Sequence, residues 1–399
     1  MIKVFSIYRN AFSNLQKNIW ILSFTMFINR SGSMVLLFTS LYMVKDLNLS
    51  IPEAGLIMSF FGFGSVLGSY VGGWLTDRKN YFDIMVFSLV GSGLVLLFML
   101  LVRTPLFIAA IIFFYAFITD LFRPANSAAI ASFSTPENRT RSVSLVRLAI
   151  NLGFSVGPAI GGFVAFYFGY KWLFIIDSFT SFAAAGILFF FLPRIKTDSN
   201  KGNNMVLNNR NSSAYKDYHY LIFIFFVALY AICFFQIFAS LPQYFNKICL
   251  YNEDTIGLLL ALNGVLIVLI ELPLVSWLEK KKMNYNNIIL GALFLPVSFG
   301  ILLISGGNLA GAVLFIVSIT FAEMMAMPFM MNFSISRPPF ERQGQYSALY
   351  SMAYGIANIA APSIGLGIAG KWGFDQMFLF FGLLGLIAAS GFYLLQLKK

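Results

Sequence analysis

The sequence predicts an all-α membrane protein of twelve transmembrane helices, built as two six-helix bundles related by a pseudo-two-fold axis along the membrane normal. Three observations carry that expectation. Of 399 residues, 59% are hydrophobic and only 11% charged, and the mean hydropathy is +0.79. A soluble domain runs nearer ~45–50% apolar and ~25% charged, so lipid is the solvent this composition fits. Apolar stretches of about 20 residues, long enough to cross a bilayer, recur about twelve times. The second half of the chain also repeats the first.

The stretches lie at 19–44, 52–76, 82–102, 105–134, 141–168, 172–193, 219–247, 254–278, 286–305, 309–335, 345–370 and 374–397. The segment before the first is mixed and basic, and the apolar run after it is too long for a cleaved leader, so the first span is expected to stay in the mature chain. A polar stretch at 194–218, rich in Lys, Asn, Asp and Ser, reads as a flexible cytoplasmic linker. It separates an N-terminal six-helix bundle at 1–193 from a C-terminal one at 219–399.

Charge sets the expected orientation. Nineteen of the 27 Lys and Arg fall on the side of the termini, five on the other (Lys45, Arg103, Lys171, Lys247, Lys371) and three inside spans (Arg30, Arg123, Arg147). Basic residues favour the cytoplasmic side, so both termini are expected there, in a plasma membrane such as a bacterial inner membrane. This distribution accounts for the net charge of +11 without a nucleic-acid partner.

The repeat has a definite register. Gly55 aligns with Gly257 at an offset of 202. At 204, Glu137 aligns with Glu341, Leu145 with Leu349, Pro158 with Pro362, Gly161 with Gly365, Gly169 with Gly373 and Phe174 with Phe378. Two halves of one topology enclose a cavity suited to alternating access. Two Cys without metal-like spacing and a single His219 leave almost no material for a metal site or a thiol or imidazole catalyst, so an enzyme is not expected. No G-x-x-x-x-G-K-[ST] loop is present, which argues against ATP as the energy source.

Charge at bilayer depth costs ~2.5–3.5 kcal/mol on insertion scales and marks an interior or a wet cavity. Seven such residues stand out: Arg30, Asp120, Arg123, Arg147, Asp177, Glu271 and Glu323. Asp120 and Arg123 are spaced i,i+3 and can pair on one helix face. Arg147 and Asp177, on consecutive spans, are expected to pair structurally. Glu323 has no basic residue near it in sequence, which suits a group that gains and loses a proton. Glu271 precedes Leu272 and Pro273 and is a second candidate. The expected cavity wall adds Arg30, Asn29, Tyr42, Gln236, Tyr244, Asn263, Met327 and Asn332.

Three motifs give the chain a family likeness. Gly73-Trp74-Leu75-Thr76-Asp77-Arg78 resembles the loop motif G-x-L-a-D-r-x-G-r-k of the major facilitator superfamily, although Asn80, Tyr81 and Phe82 replace its end. Gly153-xxx-Gly157-Pro158-xx-Gly161-Gly162 resembles the antiporter motif of the drug:proton branch. Arg123, followed by Asn126 and Ser127, resembles that family's R-x-x-Q-G. The likeness spans essentially the whole chain and implies the major facilitator fold. It implies a latch at Gly73, Asp77 and Arg78, tight packing at Gly153, Gly157, Pro158, Gly161 and Gly162, and proton transfer involving Arg123, Asp120, Glu323 and Glu271. The expected activity is proton-coupled efflux of a lipophilic or amphipathic small molecule, as in multidrug or metabolite export. The energy comes from the proton gradient without a cofactor, and the partners are solute, protons and lipid bilayer, the chain acting as a monomer. The alternative is a proton-coupled importer of a nutrient such as a peptide, sugar or metal-chelate.

Overall fold

A computed structural model describes residues 15–76, 78–135, 138–194, 214–280, 284–337 and 343–397. Twelve of its helices are long and apolar enough to cross a membrane, and no strand occurs among the described residues. Spans one to six are Lys17–Lys45, Ile51–Thr76, Tyr81–Phe98, Pro105–Ser132, Arg141–Phe168 and Tyr170–Phe191. Spans seven to twelve are Tyr218–Lys247, Glu253–Glu271, Tyr285–Ser305, Leu309–Ser334, Ala348–Trp372 and Phe374–Leu397. These bounds agree with the expected stretches to within a few residues, and the helix of span eight runs on past Glu271 to Lys280. Most of the polar stretch at 194–218 lies outside the described residues, as does Asp77.

Local chemistry explains where the helices start and break. Asn80 and Asn308 cap spans three and ten by accepting from the backbone N–H of Phe82 and Gly311, at 2.9 and 2.7 Å. Pro105 opens span four, where its missing N–H is harmless. The same span breaks at Leu121, between helices Pro105–Asp120 and Phe122–Ser132. Pro124 lies four residues beyond Asp120 and cannot donate to its carbonyl, so the ladder fails there.

The repeat is visible in the backbone. Arg139–Phe168 and Gln343–Trp372 are both helices of 30 residues with an internal proline, Pro158 and Pro362. Each is followed by a left-handed glycine, Gly169 at φ 88° and Gly373 at φ 93°. Residues with a Cβ avoid that conformation, which is why a glycine ends each helix.

The chain forms two compact units, Met1–Leu36 with Phe63–Met205, and Leu37–Gly62 with Val206–Lys399. In the first, span one packs on spans five and six, and span three on spans four and six. Gly64, Gly68 and Gly72 of span two lie against Phe113, Phe117 and Leu121 of span four so closely that a Cβ would strike span four's backbone. Small residues at four-residue spacing produce such contact.

In the second unit the pairings recur, span seven on spans eleven and twelve, and span nine on spans ten and twelve. Span two's Gly55 and Gly62 meet span eleven at Pro362 and Ile359, and Ser59 donates to the Ile359 carbonyl at 2.6 Å. Lys45 pairs with Glu253 at 2.6 Å.

Asp217 caps span seven and binds Arg337 through both oxygens, at 2.7 and 2.9 Å, and it also accepts from the Tyr346 hydroxyl at 2.9 Å. Partial burial opposes its charge, but the Arg337 guanidinium, the Tyr220 amide and the Tyr346 hydroxyl outweigh that and hold the carboxyl at about 2, below the usual 3.8. The folded value is depressed, so the stability it confers is present above 3.8 and is lost as pH falls toward about 2. Asp217→Asn is expected to remove about 1 kcal/mol at neutral pH, after allowance for solvent screening, and to flatten the acid limb of a melting-temperature profile in detergent. An unchanged acid limb would contradict this.

Candidate functional site

Each unit carries a cluster of charged and polar side chains in its membrane-spanning part. In the first unit it forms around Arg30 of span one. Gly153 and Gly157 of span five seat the backbone of span one at Phe27, Arg30 and Ser31, and a Cβ at Gly153 would come within 2.6 Å of Arg30 Cβ. The stretch that resembles the antiporter motif thus positions Arg30 directly. Gly161 and Gly162 farther along are buried. The Arg30 guanidinium lies 5.6 Å from the Phe154 ring centroid and is faced by Asp120, Asp177, Tyr115 and Arg123.

Asp120 is 2% exposed. Its carboxylate pairs with Arg123 at 2.7 Å, as the i,i+3 spacing predicts, and accepts from the Ser65 hydroxyl of span two. The break at Leu121 places this pair at the junction of two helices, and the Arg123 side chain is largely exposed. Asp177 is fully buried. It does not face Arg147, as expected, but Arg30, Tyr115 and the backbone of Val35. The rotation of spans one and six, which spacing along the chain does not encode, decides between the two arginines.

In the second unit the cluster forms around Glu323 of span ten. Asn263 of span eight donates from Nδ2 to Glu323 Oε2 at 3.2 Å and to Thr320 Oγ1 at 3.0 Å. Glu323 also lies within electrostatic reach of Tyr230 on span seven and Tyr354 on span eleven. The Tyr350 and Tyr354 hydroxyls are 3.1 Å apart, and Tyr350 donates to the Met327 carbonyl at 3.4 Å. Phe235 lies edge-on to Tyr354, with 6.0 Å between centroids. The Glu323 carboxyl is thus surrounded by an amide, hydroxyls and aromatic faces at the depth of the membrane spans.

Other expected site residues fall elsewhere. Gln236 is fully buried, donating from Nε2 to the Ile232 and Ala361 carbonyls, each at 3.1 Å, and accepting from Ser240 at 2.6 Å. It ties span seven to span eleven and belongs to the core, not to a wall. Tyr244 likewise is buried among Phe245, Phe374 and Phe378. Asn29 and Tyr42 are buried, Met327 is half-buried and Asn332 is exposed. Glu271 is half-buried and two turns from Asn263 on one helix, about 12 Å by helix rise.

At Gly73 nothing lies within 4 Å of where a Cβ would stand, and the close helix approach is made by Gly72 instead. Arg78 stacks on Trp74 at 4.1 Å. Thr320, Tyr230 and Tyr350 escape sequence reading, although two signals were available. Thr320 is one turn before Glu323, and Tyr350 and Tyr354 are four apart and share a face.

A family model for the Major Facilitator Superfamily matches residues 19–362. The chain is 24% identical over 405 aligned positions to a "Na(+), Li(+), K(+)/H(+) antiporter" of Planococcus maritimus, covering 92% of each chain. It is 24% identical to "Multidrug resistance protein 2" of Bacillus subtilis (strain 168), covering 85% of each. Among solved structures, a POT family transporter in complex with a thioalcohol-conjugated peptide superposes with a TM-score of 0.83 at 13% identity, over 97% of each chain. A bacterial homolog of the human lysosomal transporter Spinster gives 0.77 at 14% identity, over 97% of each. These relatives are transporters rather than enzymes, and the fold is theirs. The chain is therefore a multi-pass membrane protein of the major facilitator superfamily, a transporter of a small molecule.

Proposed function

We propose that this transporter is coupled to protons and exports a lipophilic or amphipathic small molecule from the cytoplasm by alternating access. The observation that carries this reading is the Glu323 cluster, in which a membrane-depth carboxyl accepts from the neutral amide of Asn263 beside Tyr230 and Tyr354. The aromatic rings and Met327 offer an adaptable apolar surface. Protonation of Glu323, and of Asp120 beside Arg123, competes with solute for the charged state, and that competition produces exchange. Glu271 is a second proton or cation contact.

The names of the planococcal and Bacillus relatives support antiport and efflux, and the Gly153–Gly157 seat beneath Arg30 supports the drug:proton branch. Import of an anionic nutrient would call on Arg30 as an anion site. Asp120 and Asp177 already face Arg30, which weakens that reading. The protein works as a monomer in a bacterial plasma membrane with both termini cytoplasmic.

The test is proton movement in proteoliposomes of the purified protein, read by an entrapped pH dye. Addition of a lipophilic cation is expected to drive saturable, opposite proton flow. Proton flow driven by Na⁺ or K⁺ but not by lipophilic solutes would replace the solute class. No solute-dependent proton flow with any of them would overturn the coupling.

A further inference from the structure

The first unit holds a buried acid and a half-buried base that face each other and form no ion pair. Asp177 has no exposed surface, and no guanidinium N–H bonds to either of its carboxylate oxygens, its neighbouring donors being the Tyr115 hydroxyl and the Val35 N–H. Arg30 faces it from span one, and Arg30 Nε is likewise buried without a partner. Two complementary groups left open in this way differ from Asp120 and Arg123 one span away, which close at 2.7 Å. A permanently ionised structural pair would have closed, because an uncompensated buried charge costs several kcal/mol.

We propose that Asp177 is a proton-binding site, occupied in the conformation seen here and emptied when Arg30 closes onto it. In that step the Asp177 O–H bond breaks and the proton leaves to water. The carboxylate then accepts N–H donors from Arg30, and the net charge of the cluster falls by one. Among the described residues, Asp177 is faced by Arg30 from span one and Tyr115 from span four, with the Val35 backbone completing its surroundings. Of the other helices packed on span six, span three carries Tyr81 and Asp83 at its far start, with Asp83 bound to Arg194 at 2.5 Å. Span five carries Arg147, which is not among the groups acting on Asp177. Asp120 also acts on Arg30, so the guanidinium has two carboxyls within electrostatic reach. Gly153 and Gly157 hold the Arg30 backbone, which confines the change to its side chain.

This site does not depend on the assignment of Glu323, and its test needs no transport. Infrared difference spectra of the purified protein across a pH titration report the carbonyl stretch of a protonated carboxylic acid. The wild type is expected to show such a band that disappears as pH rises. Asp177→Asn should remove one component of it with no loss of thermal stability, since asparagine resembles the protonated acid, whereas Glu323→Gln should leave that component in place. Arg30→Gln should keep the band to higher pH, because the ionised form has lost its partner.

A band unchanged in Asp177→Asn would overturn the proposal. So would an Asp177→Asn protein that no longer folds, since that is the behaviour of a broken ion pair. An Arg30→Gln protein that loses the band at the wild-type pH would remove Arg30 from the mechanism and overturn it as stated.

Discussion

Glu323→Gln is expected to reduce pH-gradient-driven flux to the level of protein-free vesicles while leaving solute counterflow intact. The carboxamide keeps an oxygen where Asn263 donates, at 3.2 Å in the wild type, so the local geometry and the aromatic wall survive. What is lost is the ability to change charge. Binding and exchange of solute then continue, but they no longer respond to protons, and counterflow should become flat across pH. An interaction that serves only one of two coupled processes separates them when removed. Gradient-driven flux at the wild-type rate in this variant would sink the assignment of Glu323 as a coupling group. Loss of counterflow as well would make it a solute contact instead.

The largest structural effect is expected at Gly68. A side chain there would run into the backbone of Phe117 on span four. Backbone cannot step aside as a flexible side chain does, so Gly68→Val has to push span two off span four. Overpacking of this kind costs about 3 kcal/mol or more. The damage reaches the first polar cluster, because Ser65 lies one turn away on the same helix and donates to Asp120. Thermal melting in detergent and recovery of monodisperse protein measure the effect. Gly73→Val is the matched control, since nothing lies within 4 Å of a Cβ at that position, and it should melt near the wild type. Equal behaviour of the two variants would show that the tight contact is absent in the purified protein.

The contrast between those glycines shows what a single sequence makes legible. Twelve spans and their repeat could be read because both are written along one dimension, as lengths of apolar chain and a constant offset. The structure supplies the same feature in three dimensions, with Gly169 and Gly373 both left-handed at the ends of equal helices. The acids could be found because charge at bilayer depth is rare. Their partners depend on how each helix is rotated about its axis, and a rotation is set by packing that the pattern does not contain. Asp177 therefore faces Arg30 rather than Arg147, and the close approach on span two belongs to Gly64, Gly68 and Gly72 rather than to Gly73. Gln236 and Tyr244 illustrate a second limit. A polar side chain in a span looks the same in sequence whether it lines a wall or is satisfied inside the core, as both of these are.

The boundary between the two units crosses the polar stretch in the middle of the chain, between Met205 and Val206, but not only there. It cuts through span one after Leu36 and through span two after Gly62, and the segment between belongs with the second unit. Its ties there are the Lys45–Glu253 pair, the Ser59 hydroxyl on the Ile359 carbonyl and the fit of Gly55 against Pro362. Fragment complementation is therefore expected to be asymmetric in this protein. A C-terminal fragment starting in the central polar stretch would fold with an open groove along span eleven, and the piece that fills it would have to arrive on the other polypeptide.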